Sequence, residues 1–161
     1  MAARTRWVMR GKLLLGTLGA IAGALLGAIA WGAITAATHF QIGYMAVGVG
    51  FLAGYGMRML GGGRDRADGL IAGVVAFLGC VLGNLLTVVI DFAPHDAAHR
   101  GVAELTMLLL LNPKLAWFML TANFNVMDVL FYALAVYAGY RTALKPPAAV
   151  AEAVEPAPPA A

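Results

Sequence analysis

The sequence predicts an all-α fold: a polytopic membrane helical bundle of four transmembrane helices in two hairpins, with short interfacial helices between the third and fourth spans. Hydrophobic residues make up 61% of the 161 residues and charged residues only 12%, whereas about a quarter of a soluble domain is charged. Residues 13–57 contain no charged side chain. Nine of the eleven Lys and Arg residues flank apolar runs on one predicted side, a pattern typical of charges that orient membrane helices rather than bind nucleic acid.

The uncharged run at residues 13–57 predicts the first hairpin. At about 1.5 Å per residue it is roughly twice as long as one bilayer crossing requires. We therefore predict spans at 13–37 and 42–60, after a basic cytoplasmic segment at 1–12. The bend falls at the polar residues Thr38, His39 and Gln41. A cleavable signal peptide is disfavoured, because its apolar region would be only about 7–15 residues long.

Glycines recur at helical spacing in three of the predicted spans. In lipid, such small-residue stripes permit close backbone contact between helices. The predicted helix-packing residues are Gly19, Gly23, Gly27, Gly50, Gly54, Gly79 and Gly83. The pattern favours packing within one molecule, and an interface with another copy or a partner is the alternative.

The third predicted span, residues 70–90, has no formal charge, and Asn84 is its one strongly polar side chain. An amide in apolar surroundings needs hydrogen-bond partners, which a neighbouring helix usually supplies. We therefore expect Asn84 to join helices, with a pore or ligand role as the alternative.

The loop at residues 91–100 contains His95 and His99, four residues apart, with Asp91 and Asp96 as possible oxygen ligands. Zinc and copper sites use this spacing. Two histidines without a third fixed ligand favour solvated loop residues instead, so no metal site is predicted. The single cysteine, Cys80, cannot build a disulfide or a metal cluster alone, and no cofactor is predicted.

The apolar stretch at 101–123 is interrupted by Glu104 and by Asn112, Pro113 and Lys114. Asn as a helix cap followed by Pro at the first helical position is a good helix start. Two short interfacial helices are therefore predicted here. The alternative is one span at 102–120, which would place Pro113 and Lys114 at mid-membrane.

The last predicted span covers residues 126–143, and the proline-rich residues 144–161 are predicted to form a disordered cytoplasmic tail. With Asn125 as the N-cap, Asp128 falls at the third helical position, as in a variant capping box. This interpretation is favoured over proton or cation handling by an intramembrane carboxylate.

The distribution of basic residues places both termini in the cytoplasm. The bend residues Thr38, His39 and Gln41 must then satisfy free helix-end groups at the outer surface. We predict that they form a hydrogen-bonded cap meeting Asp91 and Asp128 at the ends of the other spans. If a small ligand or ion binds, this outer cluster is the expected place.

Two segments, ITAATHFQIGYMAVGVGFLAGYGMR at 34–58 and MDVLFYALAVYAGYR at 127–141, resemble the hallmark segments of a family of small bacterial multi-spanning membrane proteins of unknown function. The resemblance covers about a quarter of the chain. The resemblance implies the fold of a multi-spanning membrane protein and a location in the bacterial inner membrane. It identifies no catalytic residue in this chain.

The sequence contains no catalytic signature, and no enzymatic activity is predicted. The expected function is a structural or assembly role in the bilayer, alone, as a homo-oligomer or in a larger membrane complex. A small oligomeric transporter or channel is the alternative. Its polar path would depend on the residues Thr17, Thr35, Asn84, Thr87 and Asp128.

Overall fold

The computed structural model describes residues 2–38, 40, 42–62, 65–95, 101–122 and 124–144, with side chains from residue 11 onward. Within these ranges the chain forms six α-helices and a short 3-10 turn, with no β-strand, so the predicted all-α class is confirmed. The helices are α1 (Ala2–Thr38), α2 (Met45–Gly61), α3 (Arg66–Phe92), α4 (Val102–Leu111), α5 (Pro113–Ala122) and α6 (Val126–Ala143).

Two helical segments, Gly11–Thr38 and Arg66–His95, are each long and apolar enough to cross a membrane. The bent pair α4 and α5 would count as a third if it formed one span. Many large apolar side chains on these helices point outward, among them Leu14, Leu18 and Leu70. Such surfaces are compatible with lipid and indicate a membrane protein.

Helices α2 and α3 occupy the centre of the bundle, because each packs against the other and against both α1 and α6. Helix α1 runs antiparallel to α2: a Cβ on Gly16 would lie 2.9 Å from Gly61 Cα, and one on Gly27 would lie 2.9 Å from Val49 Cα. Helices α1 and α3 run in one direction, and α2 and α6 run in the other.

Helix α1 begins earlier than its predicted span, because residues 2–10 continue the same helix. That segment contains neither Gly nor Pro, and its Ala, Arg and Met residues are strong helix formers. Helix α3 likewise begins before residue 70. Asp65 is its N-cap, and the Asp65 backbone N–H donates to Asp68 Oδ2 at 3.3 Å in a capping box.

Helix α2 ends where Gly62 adopts a left-handed conformation, with φ of 86°. The Gly62 N–H donates to the Arg58 carbonyl at 3.0 Å, which satisfies one of the last free carbonyls of the helix. Glycine occupies this backbone conformation without the steric cost that a Cβ would add. This residue therefore ends α2.

Two short helices are present where the sequence predicts them: α4 and α5 meet at an angle of 111°, and no straight helix covers 102–120. Pro113 begins α5 as expected. The predicted role of the Asn112 side chain is wrong, because its Nδ2 donates backward to the Leu108 carbonyl at 2.9 Å. It therefore caps the end of α4, while its own carbonyl accepts from the Ala116 N–H at 3.0 Å.

Candidate functional site

The contact between α1 and α2 is made backbone to backbone. A Cβ placed on Gly19 would overlap the Gly56 carbonyl oxygen, and one on Gly23 would overlap the Leu52 carbonyl oxygen. Real Cβ atoms do not approach other atoms so closely. Glycine is therefore required here by the distance between the helices rather than by backbone conformation.

The other predicted packing glycines also face helices of the same chain. Gly50 and Gly54 of α2 lie against the carbonyl oxygens of Ala135 and Gly139 in α6. In α3, a Cβ on Gly79 would lie 2.7 Å from Val49 Cγ1, and one on Gly83 would lie 2.6 Å from Trp31 Cε3. All seven stripe positions are thus occupied by intramolecular contacts.

Several contact glycines were missing from the predicted packing set, including Gly16 and Gly61, which face each other, and Gly56 and Gly139. Gly56 meets the Gly19 carbonyl, and a Cβ on Gly139 would lie 3.1 Å from the Ala72 carbonyl oxygen. Gly56 lies two residues after Gly54, so it faces a different side of α2 and belongs to a different stripe. Gly139 stands alone in its helix, and the sequence carries no spacing signal for it.

A group of polar side chains lies buried in the half of the bundle where α1 and α3 end. We call this group the polar core. Its members are Trp31 and Thr35 of α1, Asn84 and Thr87 of α3, and Tyr132 of α6, each no more than 6% exposed. Sequence reasoning missed Trp31 and Tyr132, although Trp31 and Thr35 continue the four-residue spacing of Gly19, Gly23 and Gly27.

Helices α3 and α6 are joined within the polar core. The Tyr132 hydroxyl donates to the Cys80 carbonyl at 3.2 Å, and the Asn84 side chain interacts with Tyr132. The Thr87 hydroxyl donates to the Asn84 carbonyl at 2.7 Å. Asn84 therefore lies where an amide can join two helices, as its position in the sequence predicts.

On α1, the Trp31 Nε1 and Thr35 Oγ1 atoms are buried and form no hydrogen bond with any described residue. The Trp31 ring packs against Gly83 through its Cε3 edge. Burying a polar group without a partner is unfavourable. The α1 side of the polar core is thus chemically incomplete among the described residues.

The predicted outer cluster is distributed over one end of the bundle. Thr38 Oγ1 donates to the Ile34 carbonyl at 2.7 Å, and Asp128 Oδ2 accepts from the Asn125 N–H at 2.8 Å in the predicted capping box. The Asp91 side chain is exposed. No hydrogen bond or ion pair joins Thr38, Asp91 and Asp128 to one another.

His39 and Gln41 lie outside the described residues, so the hydrogen-bonded cap that they would complete stays a prediction. Asp96 and His99 of the alternative metal pair also lie outside the described ranges. His95 lies within them, and its Nδ1 is 3.3 Å from the Asp91 carbonyl oxygen.

The polar residues of the alternative transport path do not form one continuous line. Thr17 donates to the Leu13 carbonyl of its own helix at 2.8 Å. The buried side chains between Thr17 and the polar core are small and apolar, including Ala20 and Ala24 of α1 and Ala53 of α2.

An apolar groove of about 80 Å³ lies beside the bundle, where α4 and α5 meet the C-terminal end of α3. Val89, Phe92, Leu109 and Met119 contribute to its lining. Leu85 and Val89 of α3 pack there against Leu105 and Leu109 of α4. These contacts hold the bent helix pair against α3.

Comparison with known proteins gives no match: no family model, curated protein or solved structure matches the chain. The function is therefore argued from the geometry of the bundle.

We predict that Gly23→Ala and Gly48→Ala have opposite effects on stability. A Cβ at residue 23 would overlap the Leu52 carbonyl, whereas one at residue 48 would meet nothing within 4 Å. Gly23→Ala should lower the free energy of unfolding by about 1–3 kcal/mol. Gly48→Ala should leave it unchanged or raise it by up to about 1 kcal/mol, because Ala favours helix.

Unfolding of both variants in mixed micelles, by titration with a denaturing detergent, would measure this difference. Equal stability of the two variants would contradict the backbone contact between α1 and α2.

Proposed function

We propose that this chain is a four-span integral membrane protein of the bacterial inner membrane with a structural or assembly role. The observation that supports this proposal is that the small-residue faces are used to build one tightly packed bundle, whose buried side chains between Thr17 and the polar core are small and apolar. Such a bundle offers a stable, membrane-embedded body, and its described residues form no continuous polar route across the bilayer.

The packing supports α2 and α6 as the additional spans. Helix α2 has 17 residues and α6 has 18, so they are about 25–27 Å long, close to the hydrocarbon thickness of about 30 Å. Helix α2 lies beside α1 from Gly27 to Gly16, and it meets α6 at Gly50 and Gly54. These helices therefore share the depth of the candidate spans α1 and α3.

The direction of the helices supports an interfacial or re-entrant place for α4 and α5. Gly69 near the start of α3 lies beside Tyr140 and Leu144 near the end of α6, so α3 and α6 are antiparallel. The end of α3 and the start of α6 consequently lie on the same side of the bundle. A connection between them that ends where it began does not cross the bilayer.

The basic residues support cytoplasmic termini. Nine of the eleven Lys and Arg residues adjoin the start of α1, the end of α2, the start of α3 or the end of α6. All four of these helix ends lie on one side of the bundle, and an excess of Lys and Arg marks the cytoplasmic side. The resemblance of residues 34–58 and 127–141 to bacterial membrane proteins agrees with this location.

The same packing limits how the chain could assemble with other proteins. The glycine stripes on α1, α2 and α3 already contact neighbouring helices, so a second copy or a partner must meet a different surface. A transporter or channel is the alternative function, and it would need a polar path formed between several copies.

Cysteine labelling tests the four-span topology. In a Cys80→Ala background we expect an impermeant maleimide to label Phe40→Cys and Val126→Cys from the periplasmic side, in spheroplasts. Ala67→Cys should react only after permeabilisation, since it lies at the opposite end of the bundle. All three positions are exposed in the bundle, which makes them matched reporters.

If Val126→Cys is not labelled by the impermeant maleimide in spheroplasts, α4 and α5 together form a span. Labelling of Ala67→Cys from outside would mean that α2 does not cross the membrane.

Purification from native membranes tests the assembly role. We expect the tagged chain to co-purify with defined partners at a fixed stoichiometry. Gly23→Leu, which disrupts the α1–α2 contact, should lose them, and Gly48→Ala should retain them. The purified chain in liposomes should carry no ion flux. Partner-free recovery of the wild-type chain, together with flux that Asn84→Leu abolishes, would favour the transporter instead.

A further inference from the structure

The α1 side of the polar core has two unsatisfied polar atoms on one face of one helix. Trp31 and Thr35 are four residues apart, so their side chains lie one above the other. Trp31 is 1% exposed and Thr35 is 2% exposed, and neither Nε1 nor Oγ1 forms a hydrogen bond within the part of the chain that the structure describes.

The Thr35 hydroxyl differs from four other helical threonines in its hydrogen-bond partner. Thr17, Thr38, Thr106 and Thr121 each donate to the backbone carbonyl four residues earlier. This is the usual way in which a threonine satisfies its hydroxyl inside a helix. Thr35 does not use the corresponding carbonyl, so its hydroxyl is available to a group outside its own helix.

The Trp31 indole is fixed by its neighbours. A Cβ on Gly83 would lie 2.6 Å from Trp31 Cε3 and 3.3 Å from Cδ2 and Cζ3, so this edge of the ring is pressed against α3. The Nε1 atom belongs to the opposite edge of the indole. Its N–H is therefore directed away from Gly83.

The register between α1 and α3 places the Thr87 hydroxyl at the same level of the bundle as Trp31 and Thr35. Helices α1 and α3 are parallel, because Ala24 lies beside Gly79 and Gly32 lies beside Leu86. Going from Trp31 to Thr35 along α1 therefore corresponds to going from Gly83 toward Thr87 along α3. Thr87 is 1% exposed, so a second hydroxyl is buried at this level.

The chemistry of the site selects its occupant. An indole N–H can only donate, whereas a hydroxyl can both donate and accept. Among the described residues, the buried side chains of this part of the bundle carry no formal charge, so an ion would lose its hydration without a counter-charge from them. A small neutral acceptor that can also donate is required, and water has these properties.

We propose that the polar core binds ordered water, which accepts a hydrogen bond from Trp31 Nε1 and exchanges one with the Thr35 hydroxyl. The water supplies the α1 side of the core with hydrogen-bond partners, beside the bond from the Tyr132 hydroxyl to the Cys80 carbonyl that joins α3 and α6. It makes the polar core a hydrated site between the helices.

NMR spectroscopy of the full chain in lipid nanodiscs tests this proposal directly. Trp7→Phe and Trp117→Phe leave Trp31 as the only indole, so its Nε1–H resonance is assigned without ambiguity. We expect a cross-peak between this proton and water in nuclear and rotating-frame Overhauser spectra. A resonance with no water cross-peak, or with cross-peaks to lipid alone, would overturn the proposal.

A pair of isosteric variants gives an independent measurement. Thr35→Val should lower the Tm by about 2–6 °C, because it removes a partner of the bound water. Thr17→Val is the matched control and should change the Tm less, since it loses only a bond to its own helix. A Tm raised or unchanged by Thr35→Val would overturn the proposal, because replacing an unpartnered hydroxyl by a methyl group is neutral or stabilising.

Discussion

Close contact between glycine backbones is the constraint on which this bundle depends. Between α1 and α2, the positions of Gly19 and Gly56 leave no room for a Cβ on either helix. Lipid supplies no hydrophobic drive between membrane helices, because its tails are as apolar as the side chains. Helices in such a setting gain stability from van der Waals contacts over short distances, and small residues make those distances possible.

The same constraint explains where the other side chains lie. The core contains many alanines, such as Ala20, Ala46 and Ala76, each 0% exposed, and most large apolar residues face outward. Larger buried groups such as Trp31 and Tyr132 occur in the half of the bundle where α1 and α3 end. Polar side chains collect there too, and the buried side chains between that half and Thr17 are mostly small and apolar.

Sequence periodicity and charge could predict the helices, because apolar runs and flanking arginines are local signals. The GxxxGxxxG stripe at Gly19, Gly23 and Gly27 even marked the face of α1 that meets another helix. The polar core could not be predicted as a unit, because Trp31 and Tyr132 are brought together only by the packing of α3 between α1 and α6. The sequence also could not predict which helix the Asn112 side chain caps, since an Asn between two adjoining helices can cap either of them.

The most direct test is a carbon–carbon correlation spectrum, by solid-state NMR in bilayers, of the chain labelled with ¹³C at glycine Cα. The account predicts cross-peaks between Gly16 and Gly61, whose backbones approach within contact distance, and between Gly19 and Gly56. These cross-peaks should persist when the labelled chain is diluted into an excess of unlabelled chain, because the contacts are intramolecular. Their loss on dilution would show that the glycine faces join different molecules, which contradicts the account.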